Sequence, residues 1–133
     1  NIVPTDRVVE FAPGLGVTAQ LVLSKSPSSY TAVEADDAAA KRVQSYLKGD
    51  NQRCVVGQAE HSGLPDSSAT VVYCEAMLSM KTPENKVKII QEAKRLLAPG
   101  GRCGSHELSV VPDDIDSVTR DAINRACSTA GTR

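Results

Sequence analysis

The chain alternates short apolar runs with longer segments in which apolar residues recur at helical spacing. The apolar runs predict buried strands at residues 7–12, 30–35, 53–58, 70–75 and 102–111. Helices are predicted at residues 17–25 and 36–48, from residue 83 to a turn at 99–101, and again from residue 112. Strands that alternate with helices favour an α/β fold with a mostly parallel sheet.

The third helix has the clearest boundaries, because Thr82 is a suitable N-cap and Pro83 suits the first helical position. Its predicted buried face consists of Val87, Ile90, Ala93 and Leu97. The last helix, opened by Pro112 and Asp113, is predicted to bury Ile115, Val118, Ala122 and Ala126. Ligands of parallel sheets bind beyond the carboxyl ends of the strands, so the polar residues there are candidates. These are Glu10, Glu34, Gln58 and Glu75.

Composition narrows the function classes. A chain of 133 residues suits one domain, residues 1–133. The net charge of −1 provides no basic footprint for nucleic acid, and no run of 18 apolar residues predicts a membrane span. The four cysteines match no zinc spacing, so we expect no metal, buried free thiols and a cytoplasmic location. The first residue is Asn1 rather than Met, so the chain can also be a truncated domain.

A glycine-containing turn follows the first strand and suits a nucleotide-like ligand. Residues 14–19 fit the dinucleotide pattern G-x-G-x-x-G/A, and Glu34 lies twenty residues after Gly14, where a ribose-binding acid is expected. These two features alone favour an NAD-binding oxidoreductase domain.

The same turn, Glu10-Phe11-Ala12-Pro13-Gly14-Leu15-Gly16, resembles motif I of the class I S-adenosylmethionine-dependent methyltransferases, [D/E]-x-G-x-G-x-G. The stretches YTAVEADDA, VVGQAEHSGLPDSSATVVYCEAML and AKRLLAPGGR resemble three further motifs of that family, in the same order. Together they cover roughly residues 7–111 and are most similar to small-molecule enzymes of the quinone and sterol methylating group. The resemblance implies a Rossmann-like three-layer sandwich with strand order 3-2-1-4-5. The family's C-terminal antiparallel hairpin is missing from the sequence.

The resemblance also implies roles for the cofactor S-adenosyl-L-methionine. Glu10 would hold its methionine end, and Gly14 and Gly16 would let the backbone approach it. Ala12 replaces the family's first glycine. The turn can keep its path with a methyl group toward the cofactor, or affinity can be reduced.

Further implied contacts lie at the other strand ends. Glu34, followed by Ala35, would accept the ribose hydroxyls. Gln58 would accept the adenine amino group, and Ala59 would offer its N–H to the ring. Glu75 would touch cofactor and substrate.

No catalytic residue is assigned. His106 is a candidate base or a surface histidine, and Met77, Leu78 and Met80 are either an acceptor pocket or core. The leading hypothesis is methyl transfer to an unidentified small molecule. An NAD-binding oxidoreductase domain, or a methyltransferase-like module without catalysis, remains the alternative. A homodimer partner could cover the exposed sheet edge.

Overall fold

Parallel strands and helices alternate from the amino terminus onward. A computed structural model describes residues 1–109, 111–112 and 114–130, with their side chains up to residue 126. The strands are β1 (Arg7–Phe11), β2 (Ser29–Glu34), β3 (Gln52–Val56), β4 (Ala69–Glu75) and β5 (Leu97–His106). The helices are α1 (Val17–Leu23), α2 (Asp37–Tyr46), α3 (Pro83–Leu96) and α4 (Ser117–Ala130), with a short 3₁₀ turn at Leu78–Met80.

The strand order is β3-β2-β1-β4-β5, and every described pairing is parallel. The predicted α/β class and strand order are therefore confirmed. The order changes direction between β1 and β4, so their carboxyl ends flank the crevice in which such sheets bind ligands. The register places Glu10 of β1 between Ala32 of β2 and Tyr73 of β4.

Two apolar cores cover opposite faces of the sheet, because successive residues of β1 point to opposite sides. Val8 joins the core beneath α1 and α2, whereas Val9 and Phe11 join the core beneath α3. This gives the three-layer sandwich that the motifs imply.

The buried face of α3 differs from the predicted one. Ile89, Ala93 and Leu96 are buried, whereas Val87 and Ile90 are about half exposed. The buried face also contains Glu92, which is held by hydrogen bonds inside the protein. Hydrophobic periodicity counts a glutamate such as Glu92 as solvent-facing. The predicted buried face of α3 is therefore centred on a different side of the helix from the one that is buried.

The end of the chain also departs from the prediction. Strand β5 begins at Leu97, so the predicted turn at 99–101 lies inside it, with a register shift between Ala69 and Val71 of β4. Helix α4 begins at Ser117, where the Asp116 carboxylate accepts the Thr119 N–H at 2.9 Å. The predicted apolar face of α4 is not buried, since Val118, Ala122 and Ala126 are exposed and Ile115, which precedes the helix, is half-buried. Asp113 lies outside the described residues.

The cysteine environments are mixed. Cys74 is buried, Cys54 is half-buried and Cys103 is exposed, and all three are free thiols. The expected burial therefore holds for Cys74 only, and the Cys127 side chain lies outside the described set. Among the described helices, none has the length and apolar character needed to cross a membrane.

Candidate functional site

A cavity of about 210 Å³ lies at the carboxyl ends of the two central strands. It is lined by Glu10, Ala12, Pro13, Leu15, Gly16, Val17, Thr18 and Glu75. The glycine turn forms one wall, the first turn of α1 another, and the end of β4 the third. The lining contains two carboxylates and no Lys or Arg among the described residues, so a cationic ligand is favoured there.

The turn keeps the left-handed conformation although Ala12 stands at its first position. Ala12 has a φ of +52° and donates its N–H to the Val33 carbonyl at 2.9 Å. A left-handed conformation costs a residue with a Cβ roughly 1–2 kcal/mol. Ala76, directly after Glu75, has a similar φ of +49°. Backbone strain therefore occurs beside both acids of the cavity, as is common at functional sites.

Gly16 is the N-cap of α1 and packs against Tyr46 at the end of α2. A Cβ at Gly16 would clash with the end of the Tyr46 side chain, and the φ of +78° also favours glycine there. Gly16 thus suits both the packing between the turn and α2 and the lining of the cavity. Gly14 is exposed, with a φ of +57°.

Glu10 is buried at the base of the cavity. The hydroxyl groups of Tyr30 and Tyr73 both donate to its Oε2 atom, the second at 2.6 Å. Its Oε1 atom accepts no hydrogen bond from a described residue, and Glu10 lines the cavity.

Burial raises the pKa of Glu10, and the charge of Glu75 raises it further. The hydrogen bonds from Tyr30 and Tyr73 lower that pKa and offset part of the rise. No nitrogen of a Lys, Arg or His side chain in the described part of the chain lies within 4 Å of this carboxylate. Glu10 is therefore a buried acid whose charge no described residue neutralises.

Glu75 connects the cavity to the end of β5. It accepts the Thr18 hydroxyl, and His106 Nδ1 lies 3.3 Å from its Oε1 atom. These two contacts lower the pKa of Glu75. His106 itself is strongly exposed, so it borders the cavity from the solvent side.

The loop after β4 is held by Glu107, whose carboxylate accepts the N–H groups of Met77, Leu78 and Ser79 at 2.9–3.1 Å. Met77 is buried in the core beneath α3, and Leu78 packs against that core. Met80 is exposed. Of the three residues considered for an acceptor pocket, Met77 and Leu78 are thus core residues.

The remaining predicted residues lie at the neighbouring ends of β2 and β3. Glu34 is buried, and its Oε1 atom accepts the Asp36 N–H at 3.1 Å. Gly57 donates its N–H to the Glu34 carbonyl at 2.9 Å, which brings the two strand ends side by side. Gln58 is exposed and Ala59 is buried.

The structure thus gathers four predicted residues in the cavity lining: Glu10, Ala12, Gly16 and Glu75. Gly14 lies in the same turn, and Glu34, exposed Ala35, Gln58 and Ala59 lie at adjacent strand ends, outside that lining. Sequence reasoning missed Thr18, Tyr30 and Tyr73. The parallel register opposite Glu10 indicates Tyr73, but only after the strand order is known.

Comparisons with known proteins agree with this geometry. A sequence model of the family described as "Methyltransferase domain" matches residues 9–104. A Haemophilus influenzae protein described as uncharacterized is 31% identical over 125 residues, which is 89% of this chain and 50% of that protein.

Solved structures show the same fold. A candidate methyltransferase of Bacillus halodurans superposes with a TM-score of 0.80 at 20% identity, over 93% of this chain and 54% of its own. The methyltransferase CalH, solved in complex with S-adenosylhomocysteine, superposes with a TM-score of 0.70 at 20% identity. The match covers 80% of this chain and 33% of CalH.

The chain spans about half the length of the curated relative and of the Bacillus structure. The family match covers most of this chain, including the glycine turn, the strand ends at Glu34 and Gln58, and Glu75. The chain therefore belongs to the methyltransferase domain family.

Proposed function

We propose that this domain binds S-adenosyl-L-methionine and takes part in methyl transfer to a small-molecule acceptor. The observation that carries the proposal is the cavity beside the glycine turn, which has two carboxylates and no Lys or Arg in its described lining. The cofactor has an ammonium group and a sulfonium cation, and an acidic, partly buried site favours both. CalH, which has the same fold, is known in complex with S-adenosylhomocysteine.

The residues present fit this cofactor. Glu10 would hold the ammonium end through Oε1, the oxygen that accepts no hydrogen bond from the described residues. Glu34 would accept the ribose hydroxyls, since a carboxylate offers two acceptor oxygens. Gln58 and Ala59, just beyond β3, would contact the adenine ring. The bound cofactor supplies an activated methyl group, so the protein contributes mainly binding and orientation.

An NAD-binding oxidoreductase is the weaker alternative. Dinucleotide sites place a pyrophosphate at the turn and favour anions there through the helix N-terminus. In this chain Glu10 and Glu75 line that position, so a pyrophosphate would meet two negative charges. A binding module without catalysis is the other alternative, and strained Ala12 is the feature that favours it.

Fewer residues are proposed to contact the methyl acceptor than the cofactor. His106, beside Glu75 at the edge of the cavity, would accept a proton where the acceptor must lose one. The near-neutral net charge favours a small molecule over nucleic acid.

The free thiols of Cys54, Cys74 and Cys103 suit a reducing cytoplasm. A homodimer would pair the edge strand β5 with a second copy.

Calorimetric titration with S-adenosylmethionine, S-adenosylhomocysteine and NAD tests the proposal. We expect the first two to bind, in about the micromolar range, and NAD to show no heat of binding. Binding of NAD alone would contradict the methyltransferase assignment. Binding of the first two without methyl transfer to any acceptor tried in the full-length protein would favour the non-catalytic module.

Glu34→Ala tests the ribose contact. We expect it to weaken S-adenosylhomocysteine binding by about 1–3 kcal/mol, because partner hydroxyls are left unpaired. Asp50→Ala is the matched control, since Asp50 is an exposed acid before β3, at the other end of the sheet. Equal affinities of the two variants would rule out the ribose role of Glu34.

A further inference from the structure

All three tyrosines of the chain surround one carboxylate. The sequence contains three Tyr, one Phe and no Trp. Tyr30 is fully buried and Tyr73 is half-buried, and both hydroxyl groups donate a hydrogen bond to Oε2 of Glu10. Tyr46 stands beside them, and its buried hydroxyl has no hydrogen-bond partner among the described residues. This arrangement uses most of the aromatic content of the protein around a single side chain.

The two hydroxyls make the oxygens of Glu10 unequal. Oε2 already accepts two hydrogen bonds inside the core, whereas Oε1 accepts none from the described residues, and Glu10 lines the cavity. A proton placed on Oε2 would displace one of the tyrosine hydroxyls, since a protonated oxygen becomes a donor. A proton on Oε1 displaces nothing. The exchangeable proton and a cationic ligand would therefore occupy the same atom.

We propose that Tyr30 and Tyr73 are positioning residues that reserve Oε1 of Glu10 for exchange between a proton and a cationic ligand. Binding of the ligand's ammonium or sulfonium group then releases the proton from Oε1 to solvent. The identity of the ligand rests on the proposed function. The arrangement of the proton does not, and it can be measured in the protein without ligand.

The other groups that face Glu10 do not replace this role. Tyr46 of α2 makes no hydrogen bond to it, and Glu75 at the end of β4 raises the pKa of Glu10 by its charge. Helix α1 presents Thr18 to the cavity and has no titratable side chain. Cys74 belongs to the core on the opposite face of the sheet. Only Tyr30 and Tyr73 donate hydrogen bonds to Glu10 within the described structure.

The sign of the pH dependence follows from these contacts. Burial raises the pKa of Glu10, and the tyrosine hydrogen bonds lower it. Ligand affinity should rise with pH as Oε1 loses its proton. Tyr73→Phe removes one of the two hydrogen bonds that lower the pKa of Glu10. The midpoint of the affinity–pH curve should therefore move to higher pH. Each unit of that movement weakens binding about tenfold at acid pH and leaves it unchanged at high pH. Simple loss of packing would weaken binding equally at every pH.

The first test uses the ligand-free protein with ¹³C-labelled tyrosine ring carbons. On titration from about pH 4 to about pH 8, the range over which burial can move a glutamate, the Tyr30 and Tyr73 signals should shift with one common midpoint. Glu10→Gln should abolish this pH-dependent shift of the tyrosine signals. Tyr73→Phe should move the midpoint of the Tyr30 signal to higher pH. Tyr46→Phe is the matched control, because it removes a hydroxyl that makes no bond to Glu10, and it should leave the midpoint in place.

The second test is calorimetry with S-adenosylhomocysteine at a pH below the common midpoint of the tyrosine signals, in two buffers of different ionisation enthalpy. Proton release on binding, reduced to zero in Glu10→Gln, supports the exchange. Separate midpoints for Tyr30 and Tyr73, an unmoved midpoint in Tyr73→Phe, or binding without proton release would each overturn it. A common midpoint in a protein that fails to bind S-adenosylhomocysteine would support the tyrosine role and contradict the proposed function.

Discussion

The carboxylates of Glu10, Asp6 and Glu92 are buried to nearly the same degree, at 2%, 4% and 6% exposure, but they differ in what surrounds them. Asp6 lies at the amino-terminal edge of the sheet, where Arg102 of β5 approaches it to 2.5 Å. Glu92 lies on α3 and is bound by Arg95 at 2.7 Å. Glu10 accepts two tyrosine hydroxyls, and no Lys, Arg or His in the described part of the chain forms an ion pair with it.

Their proton affinities differ accordingly. The hydrogen bonds from Arg102 lower the pKa of Asp6 to about 2, and those from Arg95 lower the pKa of Glu92 to about 2. Burial raises the pKa of Glu10 instead. Burial alone therefore does not determine the charge of an acid in this fold. The acids that connect elements are neutralised by the protein, and the acid at the cavity is left for a ligand.

The largest expected difference is in stability. Glu92→Gln should lower the free energy of unfolding by about 3 kcal/mol, because a buried acid paired with Arg95 loses its charge. Glu92 also accepts the N–H and hydroxyl of Ser62, at 2.8 and 2.6 Å. Glu10→Gln should change stability by no more than about 1 kcal/mol, since no cation loses its partner. Urea unfolding at neutral pH measures both, and equal losses would remove the distinction between the two acids.

Low pH should distinguish the stabilising effects of the same three carboxylates. The folded pKa values of Asp6 and Glu92 lie below the ordinary values of 3.8 and 4.5, so their stabilisation is present above those values and is lost as pH falls toward 2. We expect about 2 kcal/mol from Asp6 and about 3 kcal/mol from Glu92. Glu10 has the opposite sign, because its raised pKa gives stabilisation at low pH that is lost as pH rises.

The pH dependence of the unfolding free energy checks these signs. Asp6→Asn should flatten the loss of stability in acid. Glu10→Gln should gain stability relative to the wild type as pH rises. A wild-type-like slope in acid for Asp6→Asn would contradict the assignment of the Arg102 pair.

A smaller effect is expected at the turn beside the cavity. Ala12→Gly should raise the free energy of unfolding by about 1 kcal/mol, because glycine adopts a φ of +52° without Cβ strain. Ala40→Gly, in the buried face of α2, is the opposite control and should destabilise. A loss of stability in Ala12→Gly would mean that the turn is not strained.

The smallest effect concerns Tyr46. Its hydroxyl oxygen is buried and has no partner within the described structure, so Tyr46→Phe should be neutral or should stabilise the protein by up to about 1 kcal/mol. Tyr73→Phe, which breaks a 2.6 Å hydrogen bond to Glu10, should destabilise at neutral pH. Thermal unfolding of the two variants side by side gives the comparison, and a larger loss in Tyr46→Phe would show that its hydroxyl does have a partner.

Sequence alone was sufficient for the order of elements, the strand order implied by the motifs, and the acids at the strand ends. These features are local: an apolar run marks a buried strand, Thr82 caps its helix as predicted, Asp36 caps the helix predicted at 36–48, and the glycine turn follows β1. Glu10 and Glu75 could be identified because each stands at the end of an apolar strand. Their chemistry was expected from the family resemblance.

Tertiary structure alone decided which acids are neutralised. Tyr73 is 63 residues from Glu10, and Arg102 is 96 residues from Asp6, and both contacts depend on strand pairing across β1, β4 and β5. The burial of Glu92 depends on Ser62, 30 residues away. Hydrophobic periodicity records how one element divides between core and solvent, but a buried acid violates that pattern and is stabilised by partners from other elements. The sequence therefore determined where the cavity lies, and the fold determined that Glu10, within it, is paired with no cation from the residues that the structure describes.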